Sequence, residues 1–299
     1  TIPFFSYYSM FGFQRVGDLI WAAADSRSKG FLLGATAGRT TLAGEGLQHQ
    51  DGQSHVLALP VPNLRAYDPS FGFELAALIA QGMKEMYEDY EDVFYYITIG
   101  NENKVQPPAP EHLTREELQD GIRRGMYLFS KSEGKGHKAQ LLGSGAIMFE
   151  VLKAQEMLEE YGVSADVWSV TSYKELQSDA LSVARTNMLN PTGKQQRSYA
   201  YTQLENTEGP IVAASDYMKI LPDSLAGHLP RPITALGTDG FGRSEARAEL
   251  RDHFEVDARF ITLATLKGLA DAGVIKPAEV GKAIKKLEID PGKPDPHHA

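Results

Sequence analysis

Two short stretches near the start of the chain concentrate the residues able to do chemistry. Gly38 to Gly52 (GRTTLAGEGLQHQDG) is a Gly-rich loop carrying Glu45 and His49, four residues apart. An imidazole titrates near neutrality and can donate or accept a proton at a developing alkoxide. A carboxylate at that spacing can share the proton work or orient the ring. Tyr7 to Arg15 (YYSMFGFQR) sets Tyr8 and Phe11 where a helix is expected to begin. Their ring faces can stack on a planar heterocycle at little directional cost. Taken alone, such aromatic clusters are more often core, and a lone loop histidine more often makes a structural hydrogen bond. Arg39 either fixes the loop or meets an anion. Asp51 and His55 are candidates for loop support.

The elements that position these residues follow from periodicity. Residues 2–6 read as a buried strand. A helix is expected from Met10 to Ser28, with Phe13, Val16, Gly17, Ile20, Trp21 and Ala24 on one face and Lys29-Gly30 at its end. Residues 31–33 read as a strand, and the Gly-rich loop runs on to about Ser54. Residues 56–59 and 64–67 are strand-like. Residues 70–88 form a helix with Leu75, Leu78, Ile79, Gly82, Met83 and Met86 in the buried stripe. The apolar run 93–99 fits a strand covered on both faces.

Val105 to Pro110 is Pro-rich, and an interdomain connection is expected over 105–134. Beyond it, strands at 139–142, 166–170, 211–214 and 233–236 alternate with helices at 147–161, 174–187 and 217–225. Three more helices are expected: one capped by Ser244 and running to Phe254, one capped by Asp257 and running to Ala272, and one opened by Pro277. Strands alternating with helices argue for an α/β fold with largely parallel sheets. The tail after Asp290 is expected to fray.

Composition narrows the function classes. A net charge of −9 and no basic run argue against nucleic-acid binding. There is no cysteine, so thiolate chemistry and disulfides are excluded. That fits a reducing compartment, and a cytoplasmic protein is expected. No apolar run is long enough to span a bilayer, so no membrane partner is expected. Gly143-Ser144-Gly145 follows a strand, yet Met148 stands where a dinucleotide fingerprint needs glycine. Gly237 to Gly242 precedes a helix and reads as a tight turn before it reads as an anion site. No histidine spacing supports a bound metal.

From Ile2 to Arg15 and through the Gly-rich loop, the chain resembles the homodimeric bacterial type of pyruvate dehydrogenase, the thiamine-diphosphate-dependent decarboxylating component. The likeness continues through Tyr95 to Thr98, Leu141 to Gly145, Val170 to Ser172, Ala214 to Lys219 and Leu236 to Ser244. It implies a transketolase-like fold: residues 1–104 as the C-terminal portion of the pyrimidine-binding middle domain, and 135–299 as a complete C-terminal domain. It further implies thiamine diphosphate and magnesium as cofactors, and pyruvate as substrate. The implied partners are the lipoyl domain of the dihydrolipoyl acetyltransferase and a second copy in a homodimer. On the matching positions, Phe11 stacks on the cofactor pyrimidine and Tyr8 lines the same pocket. His49 faces the substrate and assists acyl transfer, and Glu45 supports it. The family's diphosphate and metal motif has no match here, so the resemblance covers only a C-terminal part, expected to be inactive in isolation. Another transketolase-superfamily or 2-oxo acid dehydrogenase remains an alternative, as does an inert piece with only an association role.

Overall fold

The computed structural model describes residues 1–299 as two layered α/β units. The first unit runs β1 (Phe4–Tyr8), α1 (Ser9–Asp25), β2 (Phe31–Ala35), α2 (Ser54–Ala58), β3 (Leu64–Tyr67), α3 (Gly72–Tyr87) and β4 (Phe94–Ile99). Its strands form one sheet in the order β1-β2-β4-β3, every pair parallel. The apolar run 93–99 becomes β4, whose Tyr95, Tyr96 and Ile97 have no accessible surface. A strand paired on both edges and covered on both faces has no polar side to show.

The second unit runs α4 (Arg115–Arg124), β5 (Met126–Ser130), β6 (His137–Gly143), α5 (Met148–Glu159), β7 (Val163–Val170), α6 (Tyr173–Leu189), α7 (Tyr199–Leu204) and β8 (Ile211–Ala214). It ends with α8 (Ile220–Asp223), β9 (Ile233–Leu236), α9 (Arg247–His253), α10 (Ala258–Asp271) and α11 (Pro277–Lys286). Its sheet order is β5-β7-β6-β8-β9, with β5 antiparallel and the rest parallel. Leu141, Val167 and Val212 enter one apolar core, while their neighbours Leu142, Trp168 and Ala213 enter another. Side chains alternate across a strand, so each strand feeds both cores.

Several local expectations need correction. Residues 56–59 are not a strand but lie in and after the short helix α2. One local and one tertiary contact make it one. Asp51 accepts from the Gln53 and Ser54 amides at 3.0 and 2.8 Å and starts the turn. The Lys174 ammonium, from α6, donates to the carbonyls of Ala58, Leu59 and Val61 and ends it. A buried cation at a helix C-terminus satisfies carbonyls that the helix itself leaves unpaired. Residues 105–134 hold α4 and β5, and β5 belongs to the second sheet. Helix α1 stops at Asp25, and Trp21 is 52% exposed rather than buried. Met83 is likewise 40% exposed, while Glu74 and Glu85 occupy the buried stripe of α3. Ser244 does not cap α9, which begins at Arg247 without a side-chain cap. Asp257 does cap α10, accepting from the Arg259 and Phe260 amides at 2.9 and 3.2 Å, and Pro277 opens α11. Helix α7 was not anticipated.

Candidate active site

Tyr8 is the last residue of β1 and Phe11 lies in the first turn of α1. The end of a strand and the start of the following helix therefore deliver the two rings to one place, with centroids 5.7 Å apart. The Gly-rich loop between β2 and α2 returns over them. A turn in which the His49 and Gln50 amides both bond the Gly46 carbonyl at 3.2 Å brings Glu45 and His49 to the same side. The His49 ring stands 5.3 Å from Tyr8 and 5.3 Å from Phe11. Its Nδ1 is 2.8 Å from Glu45 Oε2. That is hydrogen-bond length without good alignment, since no aligned partner exists for Nδ1, so the contact is an ion pair whenever the ring is protonated. The four residues singled out from the sequence thus form one cluster. It lies open to solvent, with Tyr8 41% exposed and the Glu45 side chain equally so. Arg15 joins it unforeseen, its guanidinium carbon 4.2 Å from the Phe11 ring centroid. Its place one helical turn after Phe11 was the available signal.

Arg39 and Asp51 belong to a different layer. Arg39 is 1% exposed, and its Nη1 donates to the carbonyls of Thr238, at 2.8 Å, and Gly240. Burial pushes its pKa down, while Asp51, Asp216 and Asp239 pull it back up. It ties the loop to the second unit. The Gly237–Gly242 turn accordingly cradles a guanidinium with its carbonyls, not an anion with its amides. Asp51 is fully buried and starts α2, as described.

The same pattern runs along the loop. Thr40 N donates to Asp216 Oδ1 at 2.9 Å, and Gly44 N to the Glu245 carbonyl at 2.9 Å. Gln50 exchanges bonds with the Arg243 backbone at 2.7 Å in both directions, and Arg247 Nε donates to the Thr41 carbonyl at 2.7 Å. Sequence reading missed Gln50, Asp216 and Arg247, because their roles exist only once the two units meet. We expect Arg39→Ala to destabilise the protein by about 3 kcal/mol, since it strands buried carboxylates without their countercharge. Arg39→Lys should recover only part, lacking the forked donor. Thermal denaturation checks both, and a neutral Arg39→Ala would contradict the assignment.

His55 lies deeper still. Its Nε2 is 2.9 Å from Thr98 Oγ1, which donates its own hydrogen to Asp68 Oδ1 at 2.7 Å. His55 must therefore donate through Nε2. Burial pushes its pKa down to about 3, so it stays neutral and structural. The Gly143-Ser144-Gly145 segment is also internal: Ser144 Oγ meets Ser215 Oγ at 3.2 Å, and Gly145 N donates to the Asp68 carbonyl at 3.2 Å. No group of three or more His, Asp or Glu side chains is arranged to hold a metal ion, and no helix is long and apolar enough to cross a membrane.

Comparison with known proteins agrees with this division. Residues 1–107 match the family described as pyruvate dehydrogenase E1 component middle domain, and residues 125–257 the transketolase-like C-terminal domain. The chain is 50% identical over 298 residues to the pyruvate dehydrogenase E1 component of Pseudomonas aeruginosa, covering 99% of the chain and 33% of that relative. It is 48% identical over 301 residues to that of Escherichia coli K12, covering 100% and 33%. The chain thus spans about a third of these relatives' length. Among solved structures, transketolase from Campylobacter jejuni superposes over 89% of the chain and 35% of its own, with a TM-score of 0.66 at 16% identity. A split-gene transketolase, described as an inactive beta4 tetramer, matches 90% of the chain and 77% of its own, with a TM-score of 0.61 at 18% identity. At those identities the likeness establishes the fold alone.

Proposed function

Because residues 1–107 belong to the pyruvate dehydrogenase E1 middle-domain family and residues 125–257 to the transketolase-like C-terminal family, we propose that this chain forms one wall of a thiamine-diphosphate-dependent centre that decarboxylates pyruvate. The observation that carries the reading is the convergence of Tyr8, Phe11 and His49, with ring centroids 5.3 to 5.7 Å apart, on an open face backed by Glu45. Two partly exposed ring faces fit an aromatic heterocycle such as the aminopyrimidine. When bound, thiamine diphosphate supplies the nucleophilic carbon and the electron sink for decarboxylation.

The chain's own residues have narrower tasks. Phe11 and Tyr8 would hold the heterocycle between their ring faces. His49, with Nδ1 at Glu45, presents Nε2 to the substrate oxygen and moves a proton there. Glu45 steadies the ring. The second unit keeps the loop in place through Arg39, Gln50 and Arg247, and that placement supports a role in alignment. The chain offers no cluster for magnesium, and we place the diphosphate and metal ligands outside residues 1–299. We further propose that the lipoyl domain of the dihydrolipoyl acetyltransferase is the acyl acceptor, and that a second copy completes the site in a homodimer in the cytoplasm. Pyruvate-dependent reduction of an artificial acceptor, by a polypeptide that carries this sequence and is supplied with thiamine diphosphate and magnesium, tests the reading. Turnover confined to sugar phosphates would replace it with a transketolase activity.

A further inference from the structure

Where the two units meet, a cavity of about 20 Å3 is lined in part by Gly38 and Asp68 of the first unit and by Gly145, Asp216 and Tyr217 of the second. Three of its side chains carry buried oxygens without a partner: Asp68 Oδ2, Asp216 Oδ2 and the Tyr217 hydroxyl. Asp216 and Tyr217 are 2% and 1% exposed. The two carboxyl oxygens lie where side chains on Gly145 and Gly38 would collide with them, and both glycines hold positive φ, +49° and +90°. Only glycine allows this approach at either place. A space of this size holds one water, and a buried water needs two to four polar partners.

We propose that one ordered water bridges Asp68 and Asp216 across this seam, and that the carboxyl pair carries a proton there, making the contact between the two units a pH-sensitive latch. The charge inventory supports a proton as the neutralising species. Facing Asp68 are Thr98, Ser144, Glu74, Asp216 and the hydroxyls of Tyr173 and Tyr217, none of them cationic. Asp216 faces Thr40, with Arg251 and Arg39 beyond. His55, on the other side of Thr98, stays neutral. Three oxygens are too few to replace a cation's hydration shell, but they suffice for a water. Burial pushes the Asp68 carboxyl up to about 7 and that of Asp216 up to about 6.

Both groups hold their protons more tightly folded than unfolded. Their contribution is therefore complete below about pH 4 and is lost as pH rises through about 6 and about 7. In the protein as it occurs, the melting temperature is expected to fall by about 5 °C between pH 5.5 and pH 8. Asp68→Asn, which mimics the protonated acid, should flatten most of that slope. Glu74→Gln, at another buried carboxyl, should leave most of it. An unchanged slope in Asp68→Asn would overturn the latch. So would a slope that disappears when sodium and potassium are replaced by tetramethylammonium, which would make the occupant a metal cation. If Asp68→Asn does not fold, Asp216→Asn carries the same comparison. The infrared carbonyl band of a protonated carboxyl at pH 6 is then expected in the parent and reduced in the variant; its absence from the parent refutes the proposal. A crystal structure with a dry cavity would also refute it.

Discussion

Replacing His49 with alanine should lower kcat about 100- to 1,000-fold in a polypeptide that turns over pyruvate, the usual cost of removing a positioned proton-transfer group. The substrate's apparent affinity should change far less, because the loss falls on the transition state. His49 is held between two aromatic rings and a carboxylate by a loop that seven backbone and side-chain bonds tie to the second unit. Truncating it removes the imidazole without disturbing those ties, so the fold should survive. Glu45→Gln should act in the same direction but more weakly, since the amide still meets the ring. Stopped-flow turnover of pyruvate measures both. Full activity in His49→Ala would remove the ring from the mechanism.

The largest effect on stability is expected elsewhere, at Glu74. This carboxylate has no accessible surface and sits in the first turn of α3. It accepts four hydrogen bonds: from the Ser70 and Phe71 amides at 2.6 and 3.0 Å, from the Tyr127 hydroxyl at 2.7 Å, and from Ser169 Oγ at 2.6 Å. Burial pushes its pKa up while those four donors pull it down. Two donors cap the helix in the first unit; the other two come from β5 and β7 of the second. Glu74→Ala leaves all four buried and unsatisfied, at a cost of about 4 kcal/mol or more. That is about 10 °C in melting temperature for a chain of this size. Glu74→Gln keeps one acceptor for the amides, and the hydroxyls can turn to accept from its NH2. It should cost about 1 kcal/mol. Equal melting temperatures for the two variants would mean that the Glu74 hydrogen bonds do not help to join the units.

How far the sequence could be read depends on whether the deciding forces are local. Most strands of the two sheets were legible because a strand covered on both faces is a continuous apolar run, as in 93–99 and 139–142; β5 was not, since it lies inside what reads as a connection. Asp257 and Pro277 were legible because a cap is decided by its own next three residues. Thr114-x-x-Glu117 was equally local and passed unnoticed. Its reciprocal bonds, 3.2 and 2.8 Å, make α4 inside what reads as a connection. The strand expected at 56–59 failed for the opposite reason. Its fate is set by Lys174, more than a hundred residues away. Trp21 and Met83 fitted a helical stripe, but the pattern alone does not tell which edge of the stripe the neighbouring layer covers. At the site, the chemistry-bearing types were visible as a Gly-rich loop and an aromatic pair, and the structure gathers them. Arg39 was visible as a residue that could fix the loop, but its fellow clamp residues Gln50, Asp216 and Arg247 were not, because contacts made across a domain seam leave no periodic trace.

The central claim is that residues 1–299 carry the heterocycle-facing and substrate-facing wall of the site but not the groups that hold the diphosphate and its metal. Calorimetric titration of thiamine diphosphate with magnesium into the isolated 299-residue chain tests it most directly. The account predicts no saturable binding tighter than about 1 mM, because one aromatic wall cannot offset the cost of fixing the ligand. It predicts tight binding by a polypeptide of the relatives' full length that carries this sequence. Micromolar binding to the 299-residue chain alone would contradict it and would place the diphosphate site within these residues.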